Sequence, residues 1–556
     1  MEQNSELSRK FTGSTETGRA RPGSNAIEAY KAAVGGDGLR ILDELPEIAR
    51  RGAEELTPAE KELLKWVGVF FRKPTPGQFM MRIRMPNGFA TSEQLRAIAE
   101  LSRRLGNNVL DITTRQQIQL RGFTLNRVAE IWEKLRGVDL HSLQTGIDNV
   151  RNINGCPLAG LTPEELLDGS AVVRELDGIM VGSEGNPEYT NLPRKFNITV
   201  TGCLENCTHN ESQDIALIPA RKNGRSGFHI LVGGKMGSGG FTVASPLDVF
   251  VEPEHAAEAV AELVKIYRDH GPREARAKCR FAFLIEEWGI PKLRAELTTR
   301  LGHTLESQGK DMRRTSHADH LGITRQKQPG FVAVGICVPT GRLKPGEMEE
   351  LAHLAEVYGN GQVRLTTAQN AVIPYVSTNR VDALLAEPLL ERFSPSPSPF
   401  FRNLVACTGT DFCNLAQIET KSRAVELSRA LEQKLGTGSK SLTIHWSGCP
   451  AGCGNHQAAD IGLRGLRMNV GGRVIDAVAI YAGGRTGPDA VAGEEILSSA
   501  PCDEALPGVV AGVIEKYYKS KRAAQHAEES RRFPLSADVA DLAPRELPSA
   551  SASAAD

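Results

Sequence analysis

A chain of 556 residues is longer than one hydrophobic core usually supports, so several domains are expected. Its composition, 40% hydrophobic and 24% charged with a net charge of −1, is typical of a soluble globular protein and gives no support for a nucleic-acid partner. No apolar run reaches the length of a membrane span, and the polar residues 1–25 lack a secretory signal. We therefore expect no membrane association and a cytoplasmic location.

A strand, a helix and a second strand are predicted between residues 79 and 120. Apolar residues alternate in 79–88, recur every three to four positions in 91–106, and alternate again in 110–120. Thr91 with Gln94 predicts a capping box at the start of the helix.

The same order recurs in residues 331–373, where Pro345 suits a first helical turn. Four matches between the halves keep nearly the same offset: PNG 86–88 with PTG 339–341, TTRQ 113–116 with TTAQ 366–369, Gly202-Cys203-x3-Cys207 with Gly448-Cys449-x3-Cys453, and LVGGKMG 231–237 with YAGGRTG 481–487. We infer two pseudo-repeats, and a cofactor between them is natural because interfaces between domains favour deep sites. A duplication that serves only stability is the alternative.

Four of the ten cysteines form two closely spaced pairs, Cys407-x5-Cys413 and Cys449-x3-Cys453. Four thiolates in this arrangement can surround one soft metal centre. Zinc is the first alternative, but its cysteine pairs are usually spaced by two to four residues, which the first spacing exceeds. Unliganded core thiols are the other alternative.

The segment SGCPAGCGNHQ (447–457), with C-x5-C before it, resembles the cluster motif of the siroheme nitrite and sulfite reductases. The resemblance extends from about Phe71 to Tyr517. It implies a [4Fe–4S] cluster bound by Cys407, Cys413, Cys449 and Cys453, with Cys453 also bridging to the siroheme iron. Cys203 and Cys207 copy only the second spacing, so they are interpreted as a relic of duplication or buried thiols, with redox or metal chemistry as the alternative.

The resemblance also implies an α+β fold (mixed α/β) of two pseudo-repeats, each a ferredoxin-like half-domain plus a larger α/β cofactor-binding domain, with the cofactors at the interface. The expected boundaries are a helical lead-in at 1–70, half-domains at 71–145 and 320–395, a siroheme- and anion-binding domain at 146–310, a cluster domain at 396–520, and a disordered tail at 521–556.

Fixed positive charge is needed by both a small anionic substrate and the carboxylates of siroheme. The resemblance implies a catalytic set of four residues in the motifs MMRIRMPNG, DNVRN and LPRKFN: Arg82, Arg151, Lys195 and Asn197. It implies contacts to the macrocycle from two further groups, Arg115, Gln119 and Arg121 in TTRQQIQLRG and the turns Gly233, Gly234, Lys235 and Gly483, Gly484, Arg485. For each Arg the alternative is a solvated strand face, and for each Gly pair it is a simple turn.

The function implied is assimilatory six-electron reduction of nitrite to ammonium by a monomer. No G-x-G-x-x-G lies at a strand-to-helix turn, and GTGSK at 436–440 lacks the spacing of a phosphate-binding loop, so ferredoxin is expected to supply the electrons. The alternatives are a ferredoxin-dependent sulfite reductase making sulfide, the related cobalamin-pathway oxygenase, and a non-catalytic iron–sulfur or zinc protein. Asn197 favours nitrite, because sulfite reductases commonly have Lys at this position.

Overall fold

The computed structural model describes residues 25–237, 240–315, 318–437 and 441–517. The tail predicted to be disordered, 521–556, lies outside the described residues, as do residues 1–24 of the predicted lead-in. None of the helices in these described ranges combines the length and apolar character that crossing a bilayer requires.

Helices and strands are interspersed along the chain. The helices are α1 (Ala26–Ala33), α2 (Ile41–Arg51), α3 (Pro58–Leu63), α4 (Ser92–Arg104), α5 (Val128–Arg136), α6 (Ser170–Met180), α7 (Pro253–His270), α8 (Phe281–Leu301), α9 (Pro345–Tyr358), α10 (Val381–Leu385), α11 (Pro388–Arg392), α12 (Pro399–Arg402), α13 (Lys421–Leu435) and α14 (506–517). The strands of the first half are β1 (Val69–Phe71), β2 (Phe79–Ile83), β3 (Phe89–Thr91), β4 (Leu110–Ile112), β5 (Ile118–Phe123), β6 (Asn154–Gly155), β7 (Ile198–Val200), β8 (Ile215–Lys222), β9 (Arg225–Val232), β10 (Ser245–Val251), β11 (Glu306–Ser307) and β12 (Lys310–Asp311). Those of the second half are β13 (Gly322–Arg325), β14 (Phe331–Ile336), β15 (Arg342–Leu343), β16 (Gln362–Leu365), β17 (Ala371–Ser377), β18 (Asn403–Ala406), β19 (Thr443–Ser447), β20 (Ile461–Val470), β21 (Arg473–Ala482) and β22 (Glu494–Pro501).

The two smaller sheets exchange an edge strand. The first has the order β1-β2-β5-β4-β15 and the second β13-β14-β17-β16-β3, so each contains one short strand from the other half of the chain. Helices α4 and α9 pack against each other, and one continuous hydrophobic core spans both sheets. The capping box of Thr91 and Gln94 and the Pro345 start of α9 form as predicted. The half-domains therefore fold as one interlocked unit.

The two larger sheets share one topology. In both, the first three strands are parallel and the rest antiparallel: β6-β7-β8-β9-β10 in the first half and β18-β19-β20-β21-β22 in the second. Each sheet packs its helices around a separate core. In the second sheet, the parallel strands β18 and β19 lead into the loops that contain Cys407, Cys413, Cys449 and Cys453.

A buried charge cluster lies where the exchanged strand β15 meets β4. Asp111 accepts hydrogen bonds from Arg121 Nε at 2.9 Å and from Arg342 Nε at 3.0 Å, and Lys421 Nζ lies 3.6 Å away. Burial raises the pKa of Asp111, but these three cations outweigh burial and hold it below its usual range. Arg342 also binds Asp411, inside the Cys407–Cys413 loop, at 3.0 Å. One carboxylate thus joins both half-domains to that loop.

We predict that Asp111→Asn destabilises the holoenzyme by about 3–5 kcal/mol, because it leaves the buried cations of Arg121 and Lys421 without their counter-charge. The midpoint of urea unfolding measures this. Glu349→Gln is the control, since the Arg103–Glu349 pair is solvent-exposed and its loss is expected to leave the midpoint unchanged. Equal midpoints for Asp111→Asn and wild type would contradict the proposed anchoring.

Candidate active site

The four cysteines predicted to bind the cluster, called the cluster cysteines below, lie in two adjacent loops: Cys407, Cys413, Cys449 and Cys453. Cys407 directly follows β18, and Cys449 follows β19, its parallel neighbour. Backbone N–H groups already approach the sulfurs: Gly448 N lies 3.1 Å from Cys407 Sγ, and Leu415 N lies 3.4 Å from Cys413 Sγ. Such N–H groups stabilise thiolates and neighbouring sulfides.

The thiols of this group influence one another electrostatically. Burial, reinforced by Cys453, raises the pKa of Cys407 to about 11. Burial also raises the pKa of Cys449 to about 12, against a hydrogen bond from Ala451 N, and the other cluster cysteines add to the effect. Thiols with these pKa values ionise at neutral pH only beside a strong positive charge, which a metal centre provides.

The spacing of the sulfurs distinguishes a cluster from a single ion. Four thiolates around one zinc ion would lie about 3.8 Å apart, given Zn–S bonds of about 2.3 Å. No three of the cluster cysteines have sulfurs within 4.8 Å of one another, since the one group in the described residues that meets this limit is Cys156, Cys207 and His320. The wider arrangement suits a multi-iron cluster and does not suit zinc.

Loops from the first half of the chain surround the Cys453 loop. Thr114 Oγ1 lies 3.4 Å from the carbonyl oxygen of Cys453. Gly237 and Gly452 are in backbone contact, and a Cβ at Gly237 would lie 2.2 Å from the carbonyl oxygen of Ala451. Both glycines have positive φ, so a side chain at either position would be strained as well as crowded.

Three of the predicted catalytic residues and Arg115 form one basic group near Cys453. Arg82, on β2, donates from Nη1 to Thr145 O at 2.9 Å, and Arg151 donates to the same oxygen. Arg151 Nη2 also donates to Ile147 O at 2.7 Å. Both guanidinium groups are therefore oriented by backbone carbonyls, which leave their positive charge uncompensated.

Crowding and burial lower the pKa of every cation in this group. Burial, followed by Arg115, lowers the pKa of Arg82 to about 9. Burial and then Arg82 lower the pKa of Arg151 well below its usual value, and burial followed by Arg280 does the same for Lys195. Cys453 acts in the opposite direction and raises the pKa of Arg82, Arg115 and Lys195. The structure thus brings the basic residues and this cysteine together, and the site favours an added anion.

Asn197, the fourth predicted catalytic residue, is buried beside Arg115. Its side-chain oxygen accepts a hydrogen bond from Arg115 Nε at 3.1 Å, and its backbone N–H donates to Asp214 Oδ2 at 2.8 Å. Asp214 forms a buried ion pair with Arg280 at 2.7 Å. Sequence reasoning missed Asp214 and Arg280, because neither belongs to a motif and they are 66 residues apart in sequence.

Arg121 is completely buried and supports the Cys407–Cys413 loop. Its guanidinium lies 4.4 Å from the centre of the Phe412 ring and donates to Thr408 Oγ1 at 3.0 Å, besides the Asp111 contact. Gln119 accepts from the same guanidinium. Arg121 Nη1 and the nearby Arg72 Nε are buried without a hydrogen-bond partner. Two unsatisfied cationic donors beside the cluster cysteines fit an anionic cofactor such as siroheme, whose carboxylates would complete them.

The two predicted glycine turns occupy equivalent places in the two larger domains. Gly233 N donates to Asp214 O and Gly483 N donates to Asp460 O, both at 2.9 Å. A Cβ at the following glycine would lie 2.4 Å from Gln213 O in the first turn and 2.5 Å from Gln457 O in the second. The next residues differ, because Lys235 is buried over the Phe283 ring whereas Arg485 is exposed and its side chain donates to Asp489 O at 2.7 Å.

Comparison with known proteins identifies the class. The nitrite and sulphite reductase 4Fe-4S domain matches residues 146–305 and 398–533, and the nitrite/sulfite reductase ferredoxin-like half domain matches 71–138 and 324–390. The chain therefore belongs to the nitrite and sulphite reductase family. The predicted mixed α/β fold with two ferredoxin-like half-domains is confirmed, as is the expected cofactor pair of siroheme and [4Fe–4S] cluster.

Individual relatives match over most of their length. A ferredoxin–nitrite reductase of Synechococcus elongatus is 42% identical over 85% of this chain and 93% of its own. An assimilatory ferredoxin-dependent nitrite reductase of Haloferax mediterranei is 39% identical over 90% of both chains. Among solved structures, the NirA protein of Mycobacterium tuberculosis superposes with a TM-score of 0.82 at 28% identity, covering 88% of this chain and 93% of that one.

We predict that replacing any one cluster cysteine by Ser abolishes binding of both cofactors, because one soft ligand is lost and the bridge at Cys453 depends on the intact cluster. Iron, labile sulfide and siroheme absorbance of the purified variants measure this. Cys203→Ser and Cys207→Ser are the matched controls and should retain both cofactors. Cluster loss in the Cys203 variant would overturn the ligand assignment.

Proposed function

We propose that the chain is an assimilatory ferredoxin-dependent nitrite reductase that makes ammonium from nitrite. The observation that supports this best is the group of desolvated cations next to Cys453. Carbonyl oxygens hold the guanidinium groups of Arg82 and Arg151, and neither group forms an ion pair with a carboxylate among the described residues, so both can bind a small anion. The names of the relatives support the same activity.

Each site residue has a defined task in this proposal. Arg82 and Arg151 bind the oxygen atoms of nitrite and offset its charge. Lys195 is the proton donor, because burial and Arg280 lower its pKa and thereby ease release of a proton from Nζ. Asn197 is the neutral hydrogen-bonding group that fixes the Arg115 guanidinium through its side-chain oxygen.

When bound, the cofactors would supply the redox chemistry, which amounts to six electrons for each nitrite reduced to ammonium. The cluster cysteines would hold the [4Fe–4S] cluster, and Cys453 would link it to siroheme. Arg115, Gln119, Arg121 and the turns Gly233–Lys235 and Gly483–Arg485 would hold the macrocycle. The Phe412 contact gives Arg121 the additional task of fixing the Cys407–Cys413 loop.

Ferredoxin is the proposed donor, and the enzyme is proposed to act as a monomer. A four-thiolate cluster needs a reducing compartment to form, which supports the cytoplasm as its location.

We predict turnover with reduced ferredoxin or a reduced viologen dye and none with NADH or NADPH alone. The assay is ammonium formation by the purified holoenzyme, with each donor as sole reductant. At limiting ferredoxin the rate should fall as salt rises, because docking through charge is screened, whereas the viologen rate should not. Sustained turnover with NADPH alone would contradict this proposal.

Asn197 is the proposed determinant of preference between anions. A lysine there would place a second ammonium beside Lys195, about 4 Å from the anion, worth roughly 4 kcal/mol of gross attraction per unit of anion charge at an effective dielectric of 20. A dianion such as sulfite gains about twice as much as a monoanion such as nitrite, although desolvation removes part of both gains. The neutral amide of Asn197 therefore favours nitrite.

We predict a higher kcat/KM for nitrite than for sulfite in the wild type, with Asn197→Lys narrowing the ratio. Asn197→Met is the matched control, because methionine is similar in length to lysine and adds no charge. Like the lysine variant, it also removes the oxygen that binds Arg115. Both anions are assayed with one viologen donor. If the ratio of kcat/KM for nitrite to that for sulfite falls in the Lys variant but not in the Met variant, the effect is due to charge. A wild type that prefers sulfite would refute the nitrite assignment.

A further inference from the structure

The first larger domain contains a cysteine group equivalent in position to the cluster cysteines. In the second half, Ala406 of β18 pairs with Trp446, which precedes Cys449 by three residues. In the first half, Gly155 of β6 pairs with Val200, which precedes Cys203 by three residues.

The residue after each strand is a cysteine, and the shared register makes Cys156 the equivalent of Cys407. Cys156, Cys203 and Cys207 therefore repeat three of the four cluster positions. Sequence comparison alone did not establish the Cys156 match, because strand β6 has only two residues.

A histidine from another part of the chain completes this group. His320 Nε2 lies 3.9 Å from Cys156 Sγ, and the donor atoms of Cys156, Cys207 and His320 all lie within 4.8 Å of one another. The thiol of Cys203 interacts with both Cys156 and Cys207, and the three cysteines are buried. Two sulfurs and the imidazole nitrogen thus face a common centre, and the Cys203 thiol, which donates to Glu205 O at 2.9 Å, lies beside them.

The backbone around His320 is held in an uncommon conformation. His320 has a φ of +59°, and its carbonyl oxygen lies so close to β14 that a Cβ at Gly335 would be 1.6 Å away. On either side, Asp319 Oδ1 and the Leu321 carbonyl accept hydrogen bonds from Arg402 Nη2 at 3.1 and 3.2 Å. Strain of this kind persists where surrounding structure fixes it, and it is frequent at functional sites.

The surroundings match a negatively charged metal site. Arg364 is buried, interacts electrostatically with Cys156, and has an Nε without a hydrogen-bond partner. A small cavity beside the group is lined by Cys207 and His320. Three thiolates and a neutral imidazole around a divalent cation have a net charge of −1, which a buried arginine offsets.

We propose that Cys156, Cys203, Cys207 and His320 bind one zinc ion as a structural Cys3His site. Zinc is the occupant that the geometry favours, because Cys3His is a recurrent structural zinc set and Zn–S and Zn–N bonds of about 2.3 and 2.0 Å need donors as close as these. An iron–sulfur cluster needs the wider spacing that the cluster cysteines have. The site joins β6, the loop after β7 and the segment before β13, so the ion fastens the first larger domain to the second half-domain.

The wild-type holoenzyme, produced with zinc in the growth medium, provides the first test. Elemental analysis should find one zinc per chain beside the iron of the two cofactors. Zinc-edge X-ray absorption should show three sulfur neighbours at about 2.3 Å and one nitrogen at about 2.0 Å. A zinc-free holoenzyme, a disulfide among the three cysteines, or extra iron in place of zinc would each overturn the proposal.

Variants provide the second test. Cys156→Ser and His320→Ala should lose the zinc while keeping the iron, labile sulfide and siroheme of the wild type, and Cys502→Ser, which alters a half-buried cysteine elsewhere, should keep all of them. Zinc retained in both site variants would overturn the assignment. If a variant does not fold, the zinc-edge X-ray absorption spectrum of the wild type still tests the zinc assignment. Nitrite reduction is assayed separately, so an error in the proposed activity would not alter these results.

Discussion

Desolvated positive charge at the active site is the constraint on which much of the remaining structure depends. Burial is the largest cause that lowers the pKa of Arg82, Arg151 and Lys195, and the neighbouring Arg115 lowers all three further. Buried like charges are unfavourable unless an anion completes the group. These buried cations therefore destabilise the fold. Their positive charge would be balanced only when the cluster, the macrocycle and the substrate are bound.

Three buried aspartates near these cations form ion pairs with other arginines. Asp111 binds Arg121, Asp148 binds Arg276 and Asp214 binds Arg280, and all three carboxylates are almost completely buried. They position the elements around the site without neutralising the residues proposed to bind substrate. If an aspartate faced Arg82 or Arg151 directly, it would compete with nitrite for the same donors. The separation of structural from substrate-binding charge thus explains why carbonyls orient those two arginines.

The local structure was predictable from sequence where a short-range pattern determines it. The capping box at Thr91, the Pro345 start of α9 and the duplicated turns all follow from backbone preferences of a few residues. The exchange of β3 and β15 was not predictable, because each strand has only two or three residues and its partner lies more than 200 positions away in sequence. The grouping of Arg82, Arg151 and Lys195 was expected only through the family resemblance, since no spacing rule brings these residues together, and their closeness to Cys453 was not expected.

The two larger domains share one topology but differ in the cysteine groups that we propose as metal sites. In the second half, Cys413 lies six residues after Cys407 on a loop that Arg121 and Arg342 hold from the half-domains, which spreads the four sulfurs widely. In the first half, Thr162 occupies the position six residues after Cys156, so the loop after β6 lacks a fourth thiol. His320 supplies the missing donor from a different direction, and the resulting set is compact. The spacing of the sulfurs determines whether one ion or a cluster fits. Replacing the fourth cysteine by a histidine from elsewhere in the chain is therefore enough to favour a single structural ion, as proposed here, over an electron-transfer cluster.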